Sequence, residues 1–129
     1  MDSKLILLIE PDQVLGAAYA RSLEHSGFEL AIARNADQAM LLIDERRPDL
    51  IICELQLVSH SGIELLYELR SYADWMSIAV IVLSIVPPSE FSASQHGLTK
   101  QLGVNCYLYK PTTNIRQLVR AAQETLSIS

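Results

Sequence analysis

Uninterrupted aliphatic runs alternate along this chain with stretches whose apolar positions recur every three or four residues. Residues 4–9 form the first run, the pattern of a strand covered on both faces. Residues 13–26 place Leu15, Ala18, Tyr19 and Leu23 on one helical face, with Gly27 as the stop. Residues 28–33 read as a second strand. Asn35 and Gln38 have capping-box spacing ahead of a helix with Ala39, Leu42 and Ile43 inward, and Pro48 closes that segment. Residues 50–53 are a third strand, and Ser61 and Glu64 repeat the capping-box spacing ahead of Leu65, Leu66 and Leu69. Residues 78–83 and 104–109 supply two more strands. Ile115, Leu118, Val119, Ala122 and Leu126 mark a final amphipathic helix. Between the fourth and fifth strands the pattern is weak: Pro87 and Pro88 exclude an immediate helix, leaving Leu98 and Leu102 as anchors.

Five β/α units with fully apolar strands predict a parallel sheet with helices on both faces. Right-handed crossovers reduce the choices to a doubly wound α/β fold, a flavodoxin-like three-layer sandwich with strand order 2-1-3-4-5 and one domain over residues 1–129. Such folds use the crevice outside the carboxyl ends of their strands. The residues that fall there are Glu10, Pro11 and Asp12 after the first strand, Glu54 after the third, Ser84 after the fourth and Lys110 after the fifth.

Composition narrows the function classes. With 50% apolar and 19% charged residues in a chain of 129, disorder is excluded. Ten Lys/Arg against fifteen Asp/Glu give a net charge of −5, which lacks the electrostatic footprint of a nucleic-acid binder. The longest apolar stretch, residues 78–86, is interrupted by Ser84 and too short to span a bilayer. Residues 5–9 are too short for a signal-peptide core, so the expected compartment is the cytoplasm, with no membrane partner. Cys53 and Cys106 sit in apolar runs without metal spacing and read as buried reduced thiols. They lie on non-adjacent strands, about 10 Å apart and beyond disulfide reach.

The strand-end residues resemble those of a response-regulator receiver domain, and the likeness covers nearly the whole chain. Lys110-Pro111 after Tyr107-Leu108-Tyr109 is similar to the family's Lys-Pro pair, with Tyr107 at its switch aromatic. Ser84 stands at the switch hydroxyl, and Glu54 with Gly62 eight residues on matches the phosphoacceptor segment. The resemblance implies a signalling module that takes a phosphoryl group from a histidine kinase on an aspartate, with Mg²⁺ held by an acidic pair after the first strand.

Two positions depart from that pattern. Glu54 stands at the phosphoacceptor position, and Pro11, which has no ligand atom, stands beside Glu10 in the acidic pair. Asp12 is either a helix N-cap or a metal ligand. Val58 replaces the proline usual in the next loop. Mg²⁺ requires near-octahedral oxygen geometry, and the extra methylene of Glu54 moves its carboxylate by about an ångström, enough to misplace a nucleophile. The same reach brings Glu54 towards Lys110 and Ser84, with Glu10 and Asp12 expected farther from the lysine. Glu54 then either imitates part of a phosphorylated state or neutralises Lys110 in an inert remnant.

The expected function is an atypical receiver that acts by protein–protein binding, with no enzymatic activity and no cofactor. The alternative is a working phosphoacceptor modified on Glu54, with Mg²⁺ on Glu10, Asp12 and Glu54. A small α/β enzyme using Ser84 is disfavoured because no histidine is placed as its base: His60 reads as a solvated loop residue, and His25 and His96 as surface residues. Residues 87–101 are longer than the equivalent segment of most receivers. With Leu98, Tyr107 and Tyr109, the face of the fourth helix, fifth strand and final helix is the expected surface for a signalling protein, a kinase or a second copy, although core packing explains the two tyrosines equally well.

Overall fold

Leu, Ile and Val dominate the three central strands because these are covered on both faces, whereas the two edge strands are partly exposed and carry Glu29 and Asn105. The computed structural model describes residues 3–91 and 102–127. In chain order the elements are β1 (Leu5–Ile9), α1 (Gln13–His25), β2 (Glu29–Ala33), α2 (Ala36–Glu45), β3 (Leu50–Cys53), α3 (Gly62–Arg70), β4 (Ala79–Ser84), β5 (Val104–Tyr109) and α4 (Ile115–Leu126). Short 3₁₀ turns occupy Pro88–Phe91 and Lys110–Thr112. The five strands pair in parallel in the order β2-β1-β3-β4-β5, as the sequence predicts.

Period-two alternation divides the core. Leu7, Ile9, Ile51, Cys53, Val80 and Val82 pack on one side with α2 and α3. Ile6, Leu8, Leu50, Ile52, Ile81 and Leu83 pack on the other with α1 and α4. Cys53 and half-buried Cys106 are free thiols on opposite sides of the sheet. A register shift interrupts β4–β5 between Val80 and Ile81, where Val80 faces Val104 but Ile81 faces Cys106. The side chain of Asn105 accepts the Val80 N–H at 2.9 Å there, so the irregularity orphans no donor.

Two local readings are corrected. The buried face of α1 is Gly16, Ala20 and Leu23, whereas Leu15 and Ala18 are exposed and Tyr19 is half-buried. Gly16 seats the helix close: a Cβ there would lie 3.6 Å from the Glu10 side chain. The Gln38 side chain accepts from the Arg34 N–H, one residue before the Asn35 cap, so the expected reciprocal box is not formed. The reciprocal box that does form is Asn114 with Gln117, which opens α4. Leu98 and His96 lie outside the described residues. No described helix is long and apolar enough to cross a membrane.

Candidate functional site

Four strand ends deliver four polar side chains to one point. Glu10 follows β1, Glu54 follows β3, Ser84 ends β4 and Lys110 follows β5. The β3–α3 connection is fixed by Gly62, whose N–H donates to the Leu55 carbonyl at 2.7 Å. A Cβ at Gly62 would lie 2.6 Å from the Glu54 carbonyl oxygen, so the backbone can approach this closely only at glycine. That contact fixes where Glu54 leaves the sheet.

The side chains meet in a closed cluster. Lys110 Nζ lies 2.6 Å from Glu54 Oε1 and 2.7 Å from Glu10 Oε1. Ser84 donates its hydroxyl to Glu54 Oε2, which also accepts from the Gln56 N–H at 2.9 Å. The Ile85 N–H donates to Glu54 Oε1 at 3.1 Å, and the Asp12 N–H to Glu10 Oε2 at 3.0 Å. Glu10 and Glu54 are each 2% exposed and Ser84 is fully buried. Two carboxylates and one ammonium leave one net negative charge in a buried site, which the backbone N–H groups and the serine hydroxyl help to compensate.

Burial alone would raise the Glu54 carboxyl, but the Gln56 N–H, the Lys110 ammonium and the Ser84 hydroxyl outweigh it and hold the group below its ordinary range. Burial alone would lower Lys110, and its two carboxylate partners instead hold it above the ordinary lysine value. The adjacent Cys53 thiol is driven far up, first by burial and then by the two glutamates, so it stays protonated. It points away from the cluster into the α2/α3 side of the core.

A chain of contacts links the cluster to β5. Ser84 Oγ also accepts from the Val86 N–H at 3.0 Å, and the Tyr107 hydroxyl donates to the Val86 carbonyl at 2.6 Å. Tyr107 packs partly against the core, and Tyr109 is half-buried. Pro111 lies exposed in the 3₁₀ turn after Lys110. His60 is an exposed loop residue, and no described histidine contacts Ser84.

The structure thus brings Glu10, Glu54, Ser84 and Lys110 together and leaves Asp12 outside. The Asp12 carboxylate accepts from the Leu15 N–H at 2.9 Å, as the N-cap of α1. Glu10 is not the remote acid expected from the sequence but an equal partner of Lys110. Among the described residues, no three His, Cys, Asp or Glu side chains are grouped to hold a metal ion. Every oxygen of Glu10 and Glu54 faces a donor of the chain.

A family model described as the response regulator receiver domain matches residues 6–123. The phosphate regulon transcriptional regulatory protein PhoB of Pseudomonas aeruginosa is 30% identical over 126 residues, covering 98% of this chain and 53% of PhoB. The alginate biosynthesis transcriptional regulatory protein AlgB of the same organism is 26% identical over 119 residues, covering 92% of this chain and 25% of AlgB. The chain therefore spans about half the length of one relative and a quarter of the other. A CheY-like response regulator receiver domain protein from Methanospirillum hungatei superposes with a TM-score of 0.83 at 23% identity, over 97% of this chain and 94% of that one, a likeness of fold.

Proposed function

The chain belongs to the response regulator receiver domain family, and we propose that it signals there without phosphorylation, through a protein partner bound at the β5–α4 face. One observation carries this reading. The Glu54 carboxylate, which the sequence resemblance aligns with the family's phosphoacceptor, accepts from the Ser84 hydroxyl and the Lys110 ammonium, the two groups a phosphoryl group there would engage.

Phosphoryl transfer to a carboxylate needs a free oxygen nucleophile and a cation that neutralises the developing charge. Here Glu54 Oε1 and Oε2 accept four hydrogen bonds between them, and the nearest cation is a lysine shared with Glu10. A carboxylate offers one charge and two oxygens where a phosphoryl group offers about −1.5 to −2 and three, so the imitation is partial. It is sufficient to fix Ser84 and, through Val86, the Tyr107 hydroxyl. The groove of about 510 Å³ beside these residues, lined by Tyr107, Tyr109, Thr112, Arg120 and Glu124 among others, is the surface the partner would read.

Incubation with acetyl phosphate and Mg²⁺, followed by intact-mass spectrometry, tests the reading. The expected result is an unmodified mass and no saturable amide shifts on adding Mg²⁺ and then beryllofluoride. A stoichiometric phosphoryl gain that disappears in Glu54→Ala overturns it and makes Glu54 a working acceptor. The double variant Pro11→Asp/Glu54→Asp, which restores both departures, is expected to gain Mg²⁺ binding and the mass shift.

A further inference from the structure

The strand at the other side of the sheet has an edge that nothing described covers. β2 pairs with β1 alone. The Glu29 N–H donates to the Lys4 carbonyl, and the Ala33 carbonyl accepts from the Glu10 N–H. In a parallel ladder this alternation directs Glu29, Ala31 and Ala33 towards β1 and the backbone groups of Leu30, Ile32 and Arg34 outward. The outward N–H of Arg34 is satisfied by the Gln38 side chain at 2.8 Å. At the other end Arg46 reaches from the end of α2 to pair with Glu29. Between those two guards lies a window of two residues, Leu30 and Ile32, with both N–H and both C=O groups free to bond outward.

The window is apolar. Ile32 is 42% exposed and Leu41 72%, and both line an open groove with Arg34, Gln38, Leu42 and Glu45. Arg34 stands at one end of the groove and Glu45 at the other, where Glu29 is already taken up by Arg46. Asp37 faces a different depression, shared with His60 and Glu64.

We infer that this window is the contact surface for a second copy of the chain, joined by antiparallel β2–β2 pairing across a two-fold axis at Ala31. That register opposes Leu30 of each copy to Ile32 of the other as hydrogen-bonded pairs, and its four bonds use all the free groups of both windows. A slip of one residue would oppose side chains from different faces of the sheet. The same register sets Leu30 against the partner's Ile32 on one face and brings Leu41 of both copies to the seam. It carries Arg34 of each copy to the Glu45 end of the other's groove, where opposite charges meet, Glu29 being already paired with Arg46. The surface lies on the opposite sheet edge from the β5–α4 face, so one chain can pair with a copy and a partner together.

Sedimentation of the 129-residue chain from micromolar to millimolar concentration tests the pairing. The wild-type chain is expected to show a reversible monomer–dimer equilibrium. Ile32→Pro removes an outward N–H that the monomer does not use, so it is expected to stay folded and become monomeric. Leu41→Glu is expected to weaken the dimer by about tenfold or more, equivalent to ~1.4 kcal/mol. Ala31→Cys sits on the two-fold axis, where the non-hydrogen-bonded pair approaches to about 4.5 Å, and is expected to form a disulfide-linked dimer on mild oxidation. Ile32→Cys, off the axis, is expected not to cross-link. A wild-type chain that stays monomeric at millimolar concentration overturns the inference, and so does a dimer that Ile32→Pro leaves intact.

Discussion

Lys110 and Arg70 are both cations withdrawn from water at the ends of the sheet, and they are satisfied by different chemistry. Lys110, at the carboxyl pole, is held by the carboxylates of Glu10 and Glu54. Arg70, at the amino pole, is held by backbone carbonyls. Its Nε donates to Leu102 at 2.7 Å, and its terminal nitrogens donate to Met76 at 2.9 Å, Ile78 at 2.7 Å and Gly103 at 3.2 Å. Those carbonyls belong to the segments entering β4 and β5, so one guanidinium ties the start of both strands. Gly103, at φ +61°, leaves space for it: a Cβ there would stand 3.2 Å from an Arg70 nitrogen. Burial lowers the Arg70 value, but a guanidinium stays charged at any pH a folded chain survives. A cation paired with carboxylates titrates with them. One clamped by carbonyls is indifferent to pH. The pole held by carboxylates therefore responds to pH, and the pole held by carbonyls does not.

The sharpest way to break this contrast is Lys110→Met. It leaves two buried carboxylates facing each other and is expected to cost ~3–5 kcal/mol in denaturant unfolding. Glu54→Gln is expected to cost less because Glu10 still compensates the lysine, and the double variant less than the sum of the two. Strict additivity would mean that the residues do not act as a pair.

The same cluster predicts a pH window. Glu54 is held below its ordinary 4.5, so its contribution is complete above that pH and is lost as pH falls through the lowered folded value. Lys110 is held above 10.5, so its contribution is complete below that pH and is lost as pH rises through the raised folded value. Thermal unfolding of wild type against Glu54→Gln should show a difference that shrinks on the acid flank. The difference between wild type and an Arg70 variant should not change there.

Arg70→Met is expected to cost about 1–3 kcal/mol, because the freed carbonyls sit at the edge of the fold and water can replace part of what is lost. Faster amide exchange at the starts of β4 and β5, with the Glu54–Lys110 cluster unchanged in its NMR shifts, would locate the damage at the amino pole. The smallest effect belongs to Asn105→Ala, about 1 kcal/mol, seen as loss of protection at the Val80 amide alone.

The two poles also differ in how readily the chain announces them. Strand order and the four polar strand ends follow from aliphatic runs and their final residues, since a fully covered strand leaves little freedom in either. The partnership of Glu10 with Lys110 does not follow, because it depends on side-chain conformation across two strand ends, which the pattern of apolar residues does not encode. The face of α1 is not legible either: Leu15 and Ala18 have the right period, but the buried face is Gly16, Ala20 and Leu23, whose small residues carry little hydrophobic signal. Arg70 gave no signal. Its partners are backbone carbonyls 6 to 33 residues away, which any sequence supplies and none advertises.

The Arg70 clamp has a consequence for the segment between β4 and β5. One end of that segment is fastened by the Tyr107 hydroxyl on the Val86 carbonyl, the other by Arg70 on the Leu102 carbonyl. Each fastening is made by a side chain remote in sequence, so the exit of β4 and the entry of β5 are held from outside the connection that joins them. A change at Tyr107 or Arg70 is therefore felt at a strand end far from it along the chain.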